Sequence, residues 1–478
     1  MNVIRPISAL FFLAFFAVSG QAETVGRITK LPSATLRELA AIPSSPGVRH
    51  ETRHEERRAL GPHTRDGRTV RSEGIAAPAL TTQATIAPPP ISVGFLSDSS
   101  LHLSPADAAG AVSKTHVVAA SNAGLVVHTR TGAPVAKLTL KQFWSAGSQV
   151  VDIYDPRVAY DAIADRWIVI AIRDANAVLL SVSASGDPTG SWTRYTISVD
   201  DCDFSRLALT RDTIVVSTLL GYSGACAVLS FSKAELYAAA NAPAVRGFNL
   251  SGDAIPVSSP DSPVEYFLLD GDSDLTIRRL DQLNQPARVV DAGFTWQYPQ
   301  ADMAPQAGTA SLLDMGYGDI QTAVYRGGWI YAVQRIGSST RTTDSNALLW
   351  WKVDPDGVKA AELGLIDSPA NTTYAYPSLA VNRDGGMLIT FCALSSTTYP
   401  SASFVYRDPA GRVSTPSVVR TGDSSITNTD RWGDYTTVAE DPNGRDFWIG
   451  QIYATRHTWE TWWANVSVPP ARARAVRH

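Results

Sequence analysis

Carboxylates, guanidinium groups and phenols recur at matched places in this sequence. Asp155 and Arg157 open DPRVAYDAIADRWIVIAI, Asp203 and Arg206 open DFSRLALTRDTIVVSTL, and Asp319 and Gln321 open GDIQTAVYRGGWIYAVQ. Tyr376 opens YPSLAVNRDGGMLITFC, and Arg431, Asp434 and Tyr435 surround the start of GDYTTVAEDPNGRDFWIGQIY. Gathered at one mouth, such groups suit a sugar: charged side chains hydrogen-bond in pairs to hydroxyls, and phenols stack on ring faces. Two carboxylates from different segments would also suit a glycosidase acid–base pair, and Asp155, Asp203, Asp319 and Asp434 are the available acids. The third reading is structural, with Asp–Arg pairs tying neighbouring segments together.

The elements that must position these residues form a repeat. Each segment has a polar start, an alternating strand, a tight polar turn and a more apolar strand. Weaker copies begin at Gly110 and Ser262. The pattern recurs seven times over about 380 residues, roughly 54 per unit, above the usual repeat length, so some loops are long. In Val158–Tyr160 and Trp167–Ile172 residues of both parities are apolar, so both faces of the sheet must be covered. A lone four-stranded unit cannot do that; units stacked around an axis can. The expectation is an all-β, seven-bladed β-propeller over residues 91–468, with six blades and one long insertion as the alternative. It should close near residue 465, through RWGDY and the Trp459/Trp462/Trp463 cluster, because an open ring leaves two unpaired sheet edges.

The chain has 478 residues, 44% apolar and 18% charged, with a net charge of −4. No global field recruits nucleic acid or an anionic membrane. Abundant Gly (34), Pro (29), Tyr (16) and Trp (12) favour turns and sheet. Arg5, the apolar run ALFFLAFFAV and the small pair Gly20 and Ala22 read as a signal peptide over residues 1–22. The run is too short to span a bilayer, so the mature chain is expected to be secreted or periplasmic, and monomeric. Residues 23–90 are rich in Arg, His and Pro without apolar periodicity, and read as a disordered leader. The tail 469–478 reads likewise. FSKAELYAAANA, near 231–242, is the one clear helical candidate and looks like a loop insertion.

Other chemistry is sparse. Cys202 and Cys226 flank one expected strand pair, so they read either as a disulfide, which an oxidising compartment would preserve, or as two thiols. Cys392 reads as a small core residue. Asp270, Asp272 and Asp274 have the alternate spacing of a calcium loop, yet lack its glycine and distal glutamate, and the simpler reading is an ordinary strand-connecting turn. No His/Cys cluster suggests zinc, and there is no GxSxG, P-loop or dinucleotide-binding motif. His116 and His128 lie in the first unit, where a strand histidine is the simpler reading than a base.

SGDPTGSW, from Ser185 to Trp192, resembles the Asp-box of sialidase-type propellers, with its glycine one position late. In that role Asp187 accepts turn amides, Gly190 takes a positive φ and Trp192 packs between blades, all structural. A sialidase would also carry an early R-I-P motif, which is absent. SPADAAGAVSKTHVVAASNAGLVVHTRTG, DPRVAYDAIADRWIV, SASGDPTGSW and RWGDYTTVAEDPNGRDFWIGQIY occur in that order. Together they resemble a broad group of secreted bacterial β-propeller proteins with a terminal RWGDY…FW segment. The resemblance covers most of residues 100–465. It implies the propeller fold and export, and no particular activity. The group's usual cysteine before the final FW is here Arg445-Asp446, so any disulfide there is lost.

The functional expectation is a funnel that binds an extracellular glycan or other small ligand without catalysis. A carbohydrate-active hydrolase or lyase is one alternative. A scaffold that binds an envelope protein is the other.

Overall fold

Runs of β-branched and aromatic residues, punctuated by Asp, Gly and Asn turns, make short antiparallel strands that pair with their sequence neighbours. The computed structural model describes residues 26–43, 85–97, 103–145, 149–221, 225–270, 274–283, 285, 287–291, 301–316, 318, 320–337, 345–356, 360–369 and 371–470. Seven small antiparallel sheets form a ring, a seven-bladed β-propeller. The blades span residues 109–138, 153–198, 202–251, 255–291, 320–366, 372–420 and 437–466, and are numbered 1 to 7 here. The expected signal peptide, residues 1–22, lies outside the described residues, as do 471–478. No helix among the described residues is long and apolar enough to cross a membrane.

Both-parity apolar strands do what that pattern requires. Trp167, Val169 and Ala171 of blade 2 face blade 1. The intervening Ile168, Ile170 and Ile172 face blade 3. The same division runs around the ring, with one apolar cluster between each pair of neighbours.

The ring closes with a strand from the other end of the chain. Ile91–Ser97 pairs antiparallel with Thr458–Val466 and becomes the outermost strand of blade 7. Trp463 is 1% exposed and joins Phe95 and Trp448 to Val112, Val117 and Ala119 of blade 1. Blade 4 is the irregular member. Its innermost strand is only Ile255–Pro256, and the chain then bridges to both neighbours at Thr210–Ser259 and Ser258–Val324. The copy starting at Ser262 therefore corresponds to the second and third strands of its blade, not the first and second.

The disordered leader expected over residues 23–90 is corrected in part. Ile28–Thr35 is a fifth strand on the outer edge of blade 2, paired with Ser191–Ser198. It runs into a helix, Leu36–Ala40, started by a Thr35–Glu38 capping box. Leu36 and Leu39 are each 1% exposed and pack with Phe143, Trp144 and Trp192. Gln142 donates to the carbonyls of Ala40 and Ile42 at 3.0 and 2.9 Å, satisfying the helix end. The physical reason is a short apolar set, Ile28, Leu31, Leu36, Leu39 and Ile42, masked in the sequence by the charged run that follows. Residues 44–84 lie outside the described residues. The helix expected near 231–242 is Lys233–Tyr237, between the third and fourth strands of blade 3.

Of the two readings of Cys202 and Cys226, the disulfide does not form. Cys202 is on the first strand of blade 3 and Cys226 on the third, with Thr213–Leu220 between them. Strands two apart lie about 9–10 Å from each other, beyond the reach of a disulfide. The residues also face opposite neighbours, Cys202 toward blade 2 and Cys226 toward blade 4. Burial pushes the Cys226 thiol up to about 12 and the Cys392 thiol well above its usual range. The melting midpoint is therefore expected to be the same with and without a strong reductant, and thiol titration in denaturant should count all 3 cysteines. A reductant-dependent midpoint would contradict the assignment.

Candidate functional site: a buried polar network on the propeller axis

The inner strands share a device that aims their first residues at the axis. The register slips between Tyr154 and Arg157 in blade 2, Asp203 and Arg206 in blade 3, and Ala375 and Ser378 in blade 6. Blade 5 slips between Ile320 and Thr322. Asp155, Phe204 and Tyr376 sit in these bulges at φ of 53°, 50° and 50°. Left-handed backbone is uncommon for residues other than glycine, and a bulge that uses it redirects a side chain out of the strand's alternation.

The sequence-nominated residues converge there. Asp155, Asp203, Arg206, Tyr376, Arg431, Asp434 and Tyr435 are all buried. Arg157 and Gln321 are half-buried. Asp319 lies outside the described residues.

RWGDY acquires a physical role position by position. Arg431 pairs with Asp434 at 2.6 Å and reaches Asp314 at 3.8 Å. Trp432 is fully buried, edge-on to Tyr376 with centroids 5.7 Å apart. A Cβ on Gly433 would lie 2.6 Å from the Ile452 methyl, so any larger residue would have to displace that side chain. The Asp434 amide donates to Asp107 Oδ1 at 2.9 Å. The Tyr435 hydroxyl donates to the Pro156 carbonyl at 3.0 Å, and Arg157 lies over its ring, 3.1 Å from the centroid. The segment before blade 7 is thereby tied to blades 1 and 2.

Three partners were not nominated from sequence. Asp107, at φ 52°, precedes blade 1 and is fully buried. Asp314 lies in a hairpin formed by Met303–Pro305 and Leu312–Asp314, and its carbonyl accepts from the Tyr376 hydroxyl. Asp253 takes both terminal nitrogens of Arg206, at 2.5 and 2.6 Å. Asp107 had a signal: it sits just ahead of its repeat copy, as Asp155 and Asp203 do, but the copy was read from Gly110. Asp314 and Asp253 lie in connecting loops, where the repeat gives no register.

The electrostatics follow from crowding. Burial first, and then Asp434, push Asp107 up to about 7, with Arg431 opposing. Burial and the neighbouring Asp107, Asp203 and Asp434 hold Asp155 well above the usual carboxylate range. Burial lowers the pKa of Arg157. It opposes charge on Arg431 too, but there Asp434, Asp107 and Asp314 prevail and raise its pKa. Burial also holds the Tyr435 phenol well above its usual range.

Several buried polar atoms in this region have no hydrogen-bond partner among the described residues: Arg431 Nε and Nη1, Trp432 Nε1, Ser205 Oγ and Gln321 Oε1.

The remaining candidates sit elsewhere. Asp270 ends one strand of a blade 4 hairpin and Asp274 begins the next, while Asp272 lies outside the described residues. Among the described residues, no group of three or more His, Cys, Asp or Glu is placed to hold a metal. The SGDPTGSW turn joins the third and fourth strands of blade 2. Asp187 accepts from the Thr189 amide at 2.9 Å, and the Trp192 indole donates to the Pro188 carbonyl at 2.9 Å. Gly190 does not take a positive φ; the turn is closed instead by its amide on the Asp187 carbonyl at 3.2 Å. His128 is buried and packs on Phe95, with Ser97 Oγ 3.0 Å from Nε2, so it joins blade 1 to the closing strand. His116 Nδ1 is 2.9 Å from the hydroxyl of its neighbour Thr115.

No known sequence family matches the chain, and no curated protein is similar to it in sequence. Among solved structures it is similar to the WD40 domain of SCAP from fission yeast, at 10% identity and TM-score 0.36, over 78% of this chain and 98% of that one. It is similar to an oligogalacturonate lyase in complex with manganese, at 7% identity and TM-score 0.38, over 80% and 99%. It is also similar to an exo-β-1,3-galactanase from Clostridium thermocellum, at 9% identity and TM-score 0.31, over 78% and 100%. These likenesses carry no argument about activity. What the fold and the axial site define is a seven-bladed β-propeller whose inner strands meet in a buried ionic network.

Proposed function

We propose that the protein is an exported, non-catalytic β-propeller that binds an extracellular glycan at the axial mouth, through Arg157 and Gln321. The observation that carries this reading is the contrast among the nominated residues. Of the four acids a hydrolase or lyase could draw on, Asp155, Asp203 and Asp434 are buried within the axial network, and Asp319 lies outside the described residues. Arg157 retains partial exposure, and Gln321 Oε1 has no hydrogen-bond donor among the described residues. A guanidinium donor and an amide acceptor, both at inner-strand bulges, are complementary to sugar hydroxyls. A glycan-array screen of the mature chain tests the reading. Specific retention of a polysaccharide class supports it, and retention of none contradicts it.

A scaffold reading has one observation in its favour. The outer edge of the Ile28–Thr35 strand lines a shallow groove with Arg27, Lys30, Pro32, Ser33 and Asn241. Recovery of a stable envelope-protein partner, with no array signal, would favour that reading instead.

A further inference from the structure

We propose that the axial mouth selects glycans that carry free amino groups, as an amino-sugar polymer does, over neutral and acidic ones. The inference rests on the binding reading above and names the class of sugar. It starts from the connections that deliver the inner strands. Antiparallel blades put the start of every inner strand, and the connection before it, at one end of the ring. Those connections are residues 98–108, 139–152, 199–201, 252–254, 292–319, 367–371 and 421–436. Each carries aspartate, and the only Lys or Arg in them are Lys141 and Arg431. Lys141 is itself buried.

These acids fall into two sets. Asp107, Asp314 and Asp434 are buried at the centre, where Arg431 and the Asp434 amide hold them. Around them Asp200, Asp302 and Asp430 are exposed, and their side chains make no hydrogen bond or ion pair among the described residues. Their backbones are fixed: the carbonyls of Asp302 and Asp430 accept from the Met315 and Asp314 amides, both at 2.9 Å. The guanidinium groups nearby are already engaged. Asp253 takes Arg206 at 2.5 and 2.6 Å. Arg157 lies over Tyr435 with its Nε on the Ser205 carbonyl at 3.0 Å. Arg335 is buried on the carbonyls of Ala301 and Gly316 at 2.8 and 2.6 Å. A mouth lined by one sign of charge concentrates ligands of the other.

Unpartnered polar atoms turn that field toward a sugar. Arg431 is 7% exposed, yet its Nε and Nη1 have no acceptor among the described residues, and Gln321 Oε1 has no donor. A simple cation offers those donors nothing, whereas a hydroxyl both donates and accepts. Ammonium groups for the exposed acids and hydroxyls for the centre describe an amino sugar. A carboxylated or sulfated sugar meets the same acids as like charge, and a neutral one gains nothing from them.

The test is calorimetric titration of the full mature chain at pH 5.5 with three oligosaccharides of equal length: a glucosamine oligomer, its N-acetylated counterpart and a galacturonate oligomer. The glucosamine oligomer should bind about tenfold more tightly than its N-acetylated form. The galacturonate oligomer should bind more weakly than either, and the preference should shrink at high salt. Asp200→Asn/Asp302→Asn/Asp430→Asn should melt like the wild type and lose most of the preference. A neutral or acidic oligomer bound as tightly as the amino form overturns the selectivity and leaves the binding reading standing. So does a preference that survives in the triple variant, or retention of some other glycan with none of these three bound. Retention of no glycan at all overturns both.

Discussion

Arg431→Met should lower stability by about 3–5 kcal/mol, because it removes one partner of a buried ion pair and leaves the other uncompensated. Asp434 is 4% exposed and Asp314 5%, and Asp107 is fully enclosed. Methionine roughly preserves the buried volume, so the loss reports charge rather than a cavity. Three carboxylates would then face one another without the guanidinium between them, and the segment from Arg431 to Tyr435 should detach from blades 1 and 2 first. The double variant Arg431→Met/Asp434→Asn should recover part of the loss, since residues in one network are not additive. Urea unfolding measures both. A single variant within about 1 kcal/mol of wild type, the range expected of a surface pair, would mean the axial pair is screened by water and does not hold the ring.

Trp463→Ala is expected to cost about 3–5 kcal/mol, the usual range for emptying a large aromatic site in a core. The indole sits in a slot prepared for it. A Cβ on Gly110 would lie 2.4 Å from its ring, and one on Gly450 would lie 2.7 Å away. Both glycines are therefore required by close approach. The slot joins blade 7 to blade 1 at the seam where the chain's two ends meet, so the loss should be local before it is global. Hydrogen exchange should quicken in Ile91–Ser97 ahead of blades 3 to 5. Gly110→Ala should act in the same direction, because its added carbon also meets the Val118 carbonyl at 2.5 Å. Uniform acceleration around the whole ring would show that the seam has no separate stability.

How legible this was depends on where a residue lies relative to the repeat. Blade strands were readable because each must be apolar on both faces, as in Trp167–Ile172, which serves two interfaces. Blade 4 was misregistered because its inner strand is two residues long and its pairing runs sideways into blades 3 and 5. The closing strand ISVGFLS has no second strand beside it in sequence, so nothing local marks it as the edge of blade 7. The N-terminal strand and helix were hidden for a related reason, since their apolar face is completed only by Phe143, Trp144 and Trp192. At the axis, register identified the residues inside the bulges and missed the loop acids that complete the network, Asp107, Asp253 and Asp314. Sequence spacing placed Cys202 and Cys226 around one strand pair, but a disulfide depends on facing, and these two face different blades.

The central claim assigns structure to the buried acids and binding to Arg157 and Gln321. Its most direct measurement is calorimetric titration of an array-identified oligosaccharide into wild type, Gln321→Ala and Arg157→Ala, alongside their melting midpoints. Gln321 Oε1 has no hydrogen-bond partner among the described residues, so Gln321→Ala should melt like the wild type while its affinity falls about tenfold, the effect of one lost hydrogen bond of ~1.4 kcal/mol. Arg157→Ala should bind more weakly still. Unchanged affinity in both variants, with an intact fold, would contradict the account.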